Sequence, residues 1–116
     1  MNDITTHFIV PPQHPSLAGH FPGHPIVPGV VLLDLVLEAI RSHGAATSTG
    51  QPLRLASIVS TKFLQAVAPD TRVDLQVNFT PETEGQWKAR FAAAHAGAPV
   101  LEGSFLLVSA QEAGAA

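Results

Sequence analysis

Residues 11–44 read PPQHPSLAGHFPGHPIVPGVVLLDLVLEAIRSHG, and the change of character partway along this stretch decides the fold. Its first part, Pro11 to Pro28, holds six prolines, three histidines and two glycines. Proline fixes φ and has no N–H to donate, so this part is neither a helix nor a central strand. It is an irregular loop with rigid corners, a kind of backbone able to hold functional groups. From Gly29 to His43 the prolines stop. Pro28 suits a helix start, where its missing N–H is harmless, and Gly44 suits a stop. About 15 residues at 1.5 Å each make a helix of roughly 22 Å. Val30, Val31, Leu32, Leu33, Leu35, Val36, Leu37, Ala39 and Ile40 leave it apolar nearly all round. Such a helix is expected inside the protein rather than on its surface.

Working outward, the flanking segments read as strands. Val73, Leu75, Val77 and Phe79 alternate with Arg72, Asp74, Gln76 and Asn78, the period-two pattern of a half-buried strand. Trp87, Ala89, Phe91 and Ala93 form a second alternating set, and Leu101, Gly103, Phe105 and Leu107 a third. Leu53 to Leu64 is rich in strand formers but less regular, and Ile4 to Val10 makes a first strand. Turn residues separate them at Pro69-Asp70, Pro81 to Gly85 and Gly97-Ala98-Pro99. The order is strand, loop, helix, then four antiparallel strands. A sheet curled around one apolar helix satisfies every segment, an α+β architecture in a single domain covering residues 1–116.

Composition narrows the function classes. With no cysteine there is no disulfide framework, thiolate metal site or cysteine nucleophile. The net charge of −3 and only six Lys plus Arg argue against a nucleic-acid surface. The first residues show no signal peptide, and no apolar run approaches the roughly 20 residues of a membrane span. The expectation is a cytoplasmic protein. A chain of 116 residues has a large surface for its volume, which an oligomer would relieve.

Asp34 is the odd residue of the helix, with apolar neighbours on either side and one turn away. Burying an unpaired carboxylate is so costly that such a group takes up a proton instead. Glu38, one turn later and nearer Arg41 and Ser42, reads as a solvated or Arg-paired residue. His20 and His24 have the spacing of a helical metal pair, but Pro22, Gly23 and Pro25 forbid a helix there and no third ligand is evident. No metal or cofactor is expected. His14 and His24 read as loop hydrogen-bonding groups, His7 and His95 as strand residues, and Trp87 and Phe91 as core.

The run HFPGHPIVPGVVLLD, His20 to Asp34, resembles the signature of the 3-hydroxyacyl-acyl-carrier-protein dehydratases, His-Phe-Pro-Gly-x-Pro-x-x-Pro-Gly-Val with an acid fourteen positions after the histidine. Lys62-Phe63, Val67 and Pro69 resemble the family's next strand and turn more loosely. The resemblance implies the hot dog fold and a hydro-lyase activity on 3-hydroxyacyl thioesters, in fatty-acid-like or polyene biosynthesis. It implies His20 and Asp34 as the catalytic pair, contributed by different subunits of a homodimer with shared sites. Higher oligomers or a hetero-partner are compatible with the same arrangement. It implies Gly29, Phe21, Val30 and Pro28 as the substrate-binding residues.

The chemistry agrees with these residue types. Dehydration needs a base for the C2 proton, an acid for the departing hydroxyl and a dipole for the thioester oxygen. A histidine titrating near neutral pH suits the first task, and a carboxyl kept protonated by burial suits the second. The Gly29 N–H, at the positive end of the helix, suits the third.

The departures are specific. Where the family has Gln one turn after the acid this chain has Glu38. Two basic residues usual after Lys-Phe are Leu64 and Gln65, and the turn glycine is Asp70. The basic residues are associated with receiving the acyl carrier, so carrier protein and coenzyme A both stand as the thioester's other half. Two other readings use the same fold: a hot dog acyl thioesterase, which requires no loop histidine, and a non-catalytic acyl-binding partner subunit, in which His20 or Asp34 would be lost.

Overall fold

Each alternating segment of the sequence becomes a strand, and the apolar run becomes the helix. The computed structural model describes residues 3–11, 27–43, 53–83 and 85–109. Within them the order is β1 (Ile4–Ile9), α1 (Gly29–Ser42), β2 (Leu53–Phe63), β3 (Arg72–Pro81), β4 (Gln86–His95) and β5 (Ala98–Ser109). All strand pairs are antiparallel, in the sheet order β1-β3-β4-β5-β2. One helix laid on a five-stranded antiparallel sheet is the expected α+β hot dog arrangement.

The strand registers line up the inward residues in rows. Val77 faces Phe91 and Phe91 faces Gly103; Leu75 faces Ala93 and Ala93 faces Leu101; Ala89 faces Phe105. Val73, Leu75, Val77, Phe91, Leu101, Phe105 and Leu107 are almost wholly buried there. Each such large side chain contributes about 1.5–3 kcal/mol by leaving water. The Phe91 and Phe105 rings are tilted at 42° with centroids 4.7 Å apart. Gly103 is small of necessity: a Cβ there would run into the carbonyl oxygen of Ser60 and lie 3.0 Å from the Phe91 ring.

The turns use backbone that few residues adopt. Ala96 and Gly97 take φ of 50° and 83°, a two-residue hairpin with both central residues left-handed. The bend therefore comes one residue before the sequence signal, and Ala98 and Pro99 open β5 instead. Pro99 is tolerated because β2 ends opposite Leu101, so no strand asks for its missing N–H on that side. At the β2–β3 connection Asp70 takes φ 63°, the conformation that a glycine would adopt freely. The Asp70 N–H donates to the Val10 carbonyl at 2.8 Å, tying the turn to the end of β1.

The helix departs from its expected burial. Val31, Leu32, Val36, Ala39 and Ile40 pack onto the sheet, and Leu33, Leu35 and Leu37 are partly covered. Val30, Asp34, Glu38 and Arg41, three or four residues apart, form an exposed stripe. A single sheet covers one side of a helix, so an all-round apolar sequence leaves part of its surface uncovered within one chain. The helix ends at Ser42, and His43 caps it with its N–H donating to Ala39 O at 3.1 Å. His43 Nδ1 also donates to Ala39 O, and its Nε2 meets the Thr6 hydroxyl, both at 3.0 Å. Gly44, the expected stop, lies outside the described residues.

Candidate active site

The start of α1 is the point where three segments converge. Pro28 is the N-cap with φ −58° and ψ 144°, and it makes no side-chain cap. Its carbonyl accepts from Val31 N at 3.0 Å and Leu32 N at 3.4 Å, which begins the helical ladder. The preceding N–H groups, at Gly29 and Val30, have no acceptor within the helix by construction. No acidic residue occupies the first turn to neutralise the positive end of the helix.

Two connections hold this helix end against the sheet. Val27 N donates to Val67 O at 2.8 Å, joining the chain before the helix to the segment after β2. Leu64 N donates to Val100 O at 2.7 Å, fixing that segment to β5. Between them lies a cavity of about 400 Å³ lined by Val27, Gly29, Leu32, Phe63, Leu64, Gln65, Ala66 and Val67. Most of the lining side chains are apolar, though polar atoms make up nearly half of the surface, with the helix start on one wall and the end of β2 on another.

Of the expected site residues, Gly29 lines this cavity, Pro28 caps the helix beside it, and Val30 stands 70% exposed next to it. Asp34 lies five residues, nearly one and a half turns, after Gly29 along α1 and is exposed, as is Glu38. The expectation of a carboxyl buried within its own chain is therefore corrected: Asp34 points to the side of the helix that the sheet does not cover. His20, Phe21, His14 and His24 lie outside the described residues.

Sequence reasoning missed how Phe63 relates to this site. It is the last residue of β2, and its ring tip sits where a Cβ on Gly29 would be, 2.6 Å from Cζ and 2.7 Å from Cε1. The signal was the Lys-Phe pair at the end of an apolar strand, which by itself gives no distance to the helix.

Beyond the cavity, apolar surface continues on β2, an edge strand of the sheet. Ile58, Val59, Phe63 and Leu64 are 49%, 53%, 50% and 40% exposed. Register shifts between Leu55 and Ser57 and between Ile58 and Ser60 explain the irregular pattern of this segment. Among the described residues no helix is long and apolar enough to cross a membrane.

Comparison with known proteins shows the family to which the chain belongs. The family described as ApeI-like, ApeI dehydratase, matches residues 1–104. The 3-hydroxyacyl-[acyl-carrier-protein] dehydratase FabZ of Myxococcus xanthus is 31% identical over 107 residues, covering 89% of this chain and 70% of its own length. Across such relatives the chain spans between 56% and 70% of their length. Among solved structures, the dehydratase heterocomplex ApeI:P from Xenorhabdus doucetiae has a TM-score of 0.65 at 22% identity, covering 91% of this chain and 87% of that one. The fluoroacetyl-CoA thioesterase FlK has a TM-score of 0.72 at 14% identity, covering 98% and 90%. At such identities the structural likeness speaks for the fold alone.

Proposed function

Because the chain belongs to the ApeI-like dehydratase family, we propose that it removes water from a (3R)-3-hydroxyacyl thioester to leave the trans-2-enoyl thioester. The observation that carries this reading is the uncapped start of α1: Gly29 opens onto a cavity lined mainly by apolar side chains, and Asp34 follows nearly one and a half turns later on the uncovered face of the helix. A thioester oxygen set against the Gly29 N–H would gain a donor and the positive end of the helix as charge develops on it. His20 takes the C2 proton, whose bonding electrons form the C2–C3 double bond. The C3–O bond breaks as Asp34 donates its proton, and water leaves. Exchange of protons with solvent then returns both residues to their starting states.

The exposure of Asp34 supports a site completed by a second chain. A general acid working near neutral pH must be kept protonated, and burial does this. Within one chain the exposed stripe of α1 and the apolar edge strand β2 lie uncovered. An edge strand with exposed apolar residues is a surface for association. The proposed assembly is a homodimer in which each active site joins His20 of one chain to Asp34 of the other. The FabZ relatives are named for acyl-carrier-protein substrates, and the same chemistry accepts coenzyme A thioesters. The Xenorhabdus structure is a dehydratase heterocomplex, so a related chain is the alternative occupant of the same surface.

The test is complementation. His20→Ala and Asp34→Asn are each expected to lose at least about a hundredfold in activity while remaining folded. Mixed after subunit exchange, they should regain activity in heterodimers that hold one intact site. Two inactive mutants that exchange subunits yet regain nothing would place both residues in one chain's site. A fully active Asp34→Asn would remove the carboxyl from the reaction.

A further inference from the structure

The end of β2 deepens this reading, on which the following inference rests. Phe63 occupies an inward position of its strand: its register partner, Leu101, is 1% exposed. Yet Phe63 itself is 50% exposed, and it lines the cavity at the helix start. The backbone around it is held by the Leu64–Val100 and Val27–Val67 hydrogen bonds. A fixed frame therefore holds a half-exposed aromatic residue against the cavity at the helix start.

The identity of residue 29 sharpens the point. Gly29 sits in the first turn of α1 without the left-handed φ that only glycine adopts freely. Any residue except proline would supply the same N–H. What glycine alone supplies is space, and the Phe63 ring tip fills it. A substrate whose carbonyl oxygen reaches the Gly29 N–H brings its first acyl carbons alongside this ring.

We propose that Phe63 is a specificity-determining residue of the acyl site, a flat apolar wall that favours straight chains over chains branched near the thioester. The exposed half of the ring offers area that is removed from water when a straight chain packs on it. A methyl branch close to the thioester would meet the ring edge, which Gly29 and the strand end hold in place. Removing the ring takes away both the packing and the obstruction.

The experiment compares wild type, Phe63→Leu and Phe63→Ala in turnover of 3-hydroxybutanoyl- and 3-hydroxy-4-methylpentanoyl-coenzyme A. Binding of butanoyl- and 3-methylbutanoyl-coenzyme A is measured in parallel. Melting curves confirm folding, which a half-exposed side chain at a strand end should leave largely intact. Phe63→Ala is expected to lose about tenfold in kcat/KM on the straight substrate, mainly through KM. Its preference for straight over branched chains should fall by a similar factor in both turnover and binding, with Phe63→Leu between. Variants that change straight and branched ligands in equal proportion, or neither, would overturn the assignment. If wild type binds the acyl thioesters selectively but turns none over, and Phe63→Ala loses that selectivity, the wall stands while the dehydratase reading falls.

Discussion

Gly29 and Phe63 meet across the cavity at the start of α1, the ring tip standing 2.6 Å from where a Cβ on residue 29 would be. This contact ties the first turn of the helix to the last residue of an edge strand. A side chain at residue 29 would make the ring shift, although the backbone there has no glycine-only conformation.

Gly29→Ala should therefore displace the Phe63 ring at a cost of about 1–3 kcal/mol, the usual penalty for overpacking. In the background of Phe63→Ala the same substitution should cost little, since the obstructing atoms are gone. A double-mutant cycle by denaturant unfolding measures this coupling, which should be at least about 0.5 kcal/mol. Additive effects would mean that the contact carries no energy.

Thr61 lies two residues before Phe63, opposite Gly103, and its hydroxyl is buried without a hydrogen-bond partner. Such a group forfeits its bonds to water and gains none. Thr61→Val keeps the shape and removes the cost, so stability should rise by about 1 kcal/mol. A fall in melting temperature would show that the hydroxyl has a partner in solution.

Asp70 holds a left-handed backbone at the β2–β3 turn, with φ 63°. Asp70→Gly should be neutral or slightly stabilising, whereas Asp70→Val should cost about 1–3 kcal/mol in strain. Equal stability of the two variants would argue that the turn relaxes.

Much of the fold was legible because burial on one face writes itself into the sequence. The alternation through Val73, Leu75, Val77 and Phe79 became β3, and the proline-free run after Pro28 became α1. β2 was harder to read because its register shifts break the period of two, so its apolar residues fall out of step. The Gly97 turn was displaced by one residue because Ala96 takes a left-handed φ that alanine rarely accepts. In the candidate site, Gly29 and Asp34 were legible as an N–H at a helix start and a carboxyl in an apolar helix. The burial of Asp34 was misjudged because a helix apolar nearly all round has more apolar surface than one sheet covers, and Asp34 lies on the uncovered side. The Gly29–Phe63 contact is long-range, and no local pattern encodes a distance between a helix start and a strand end.

Elimination of water is proposed to take place at the Gly29–Asp34 end of the helix. The most direct measurement incubates the full chain with 3-hydroxybutanoyl-coenzyme A and follows enoyl absorbance and free thiol in the same sample. Enoyl formation without thiol release is expected, reduced at least about a hundredfold in Asp34→Asn. Thiol release without enoyl product would contradict it and assign the site to thioester hydrolysis.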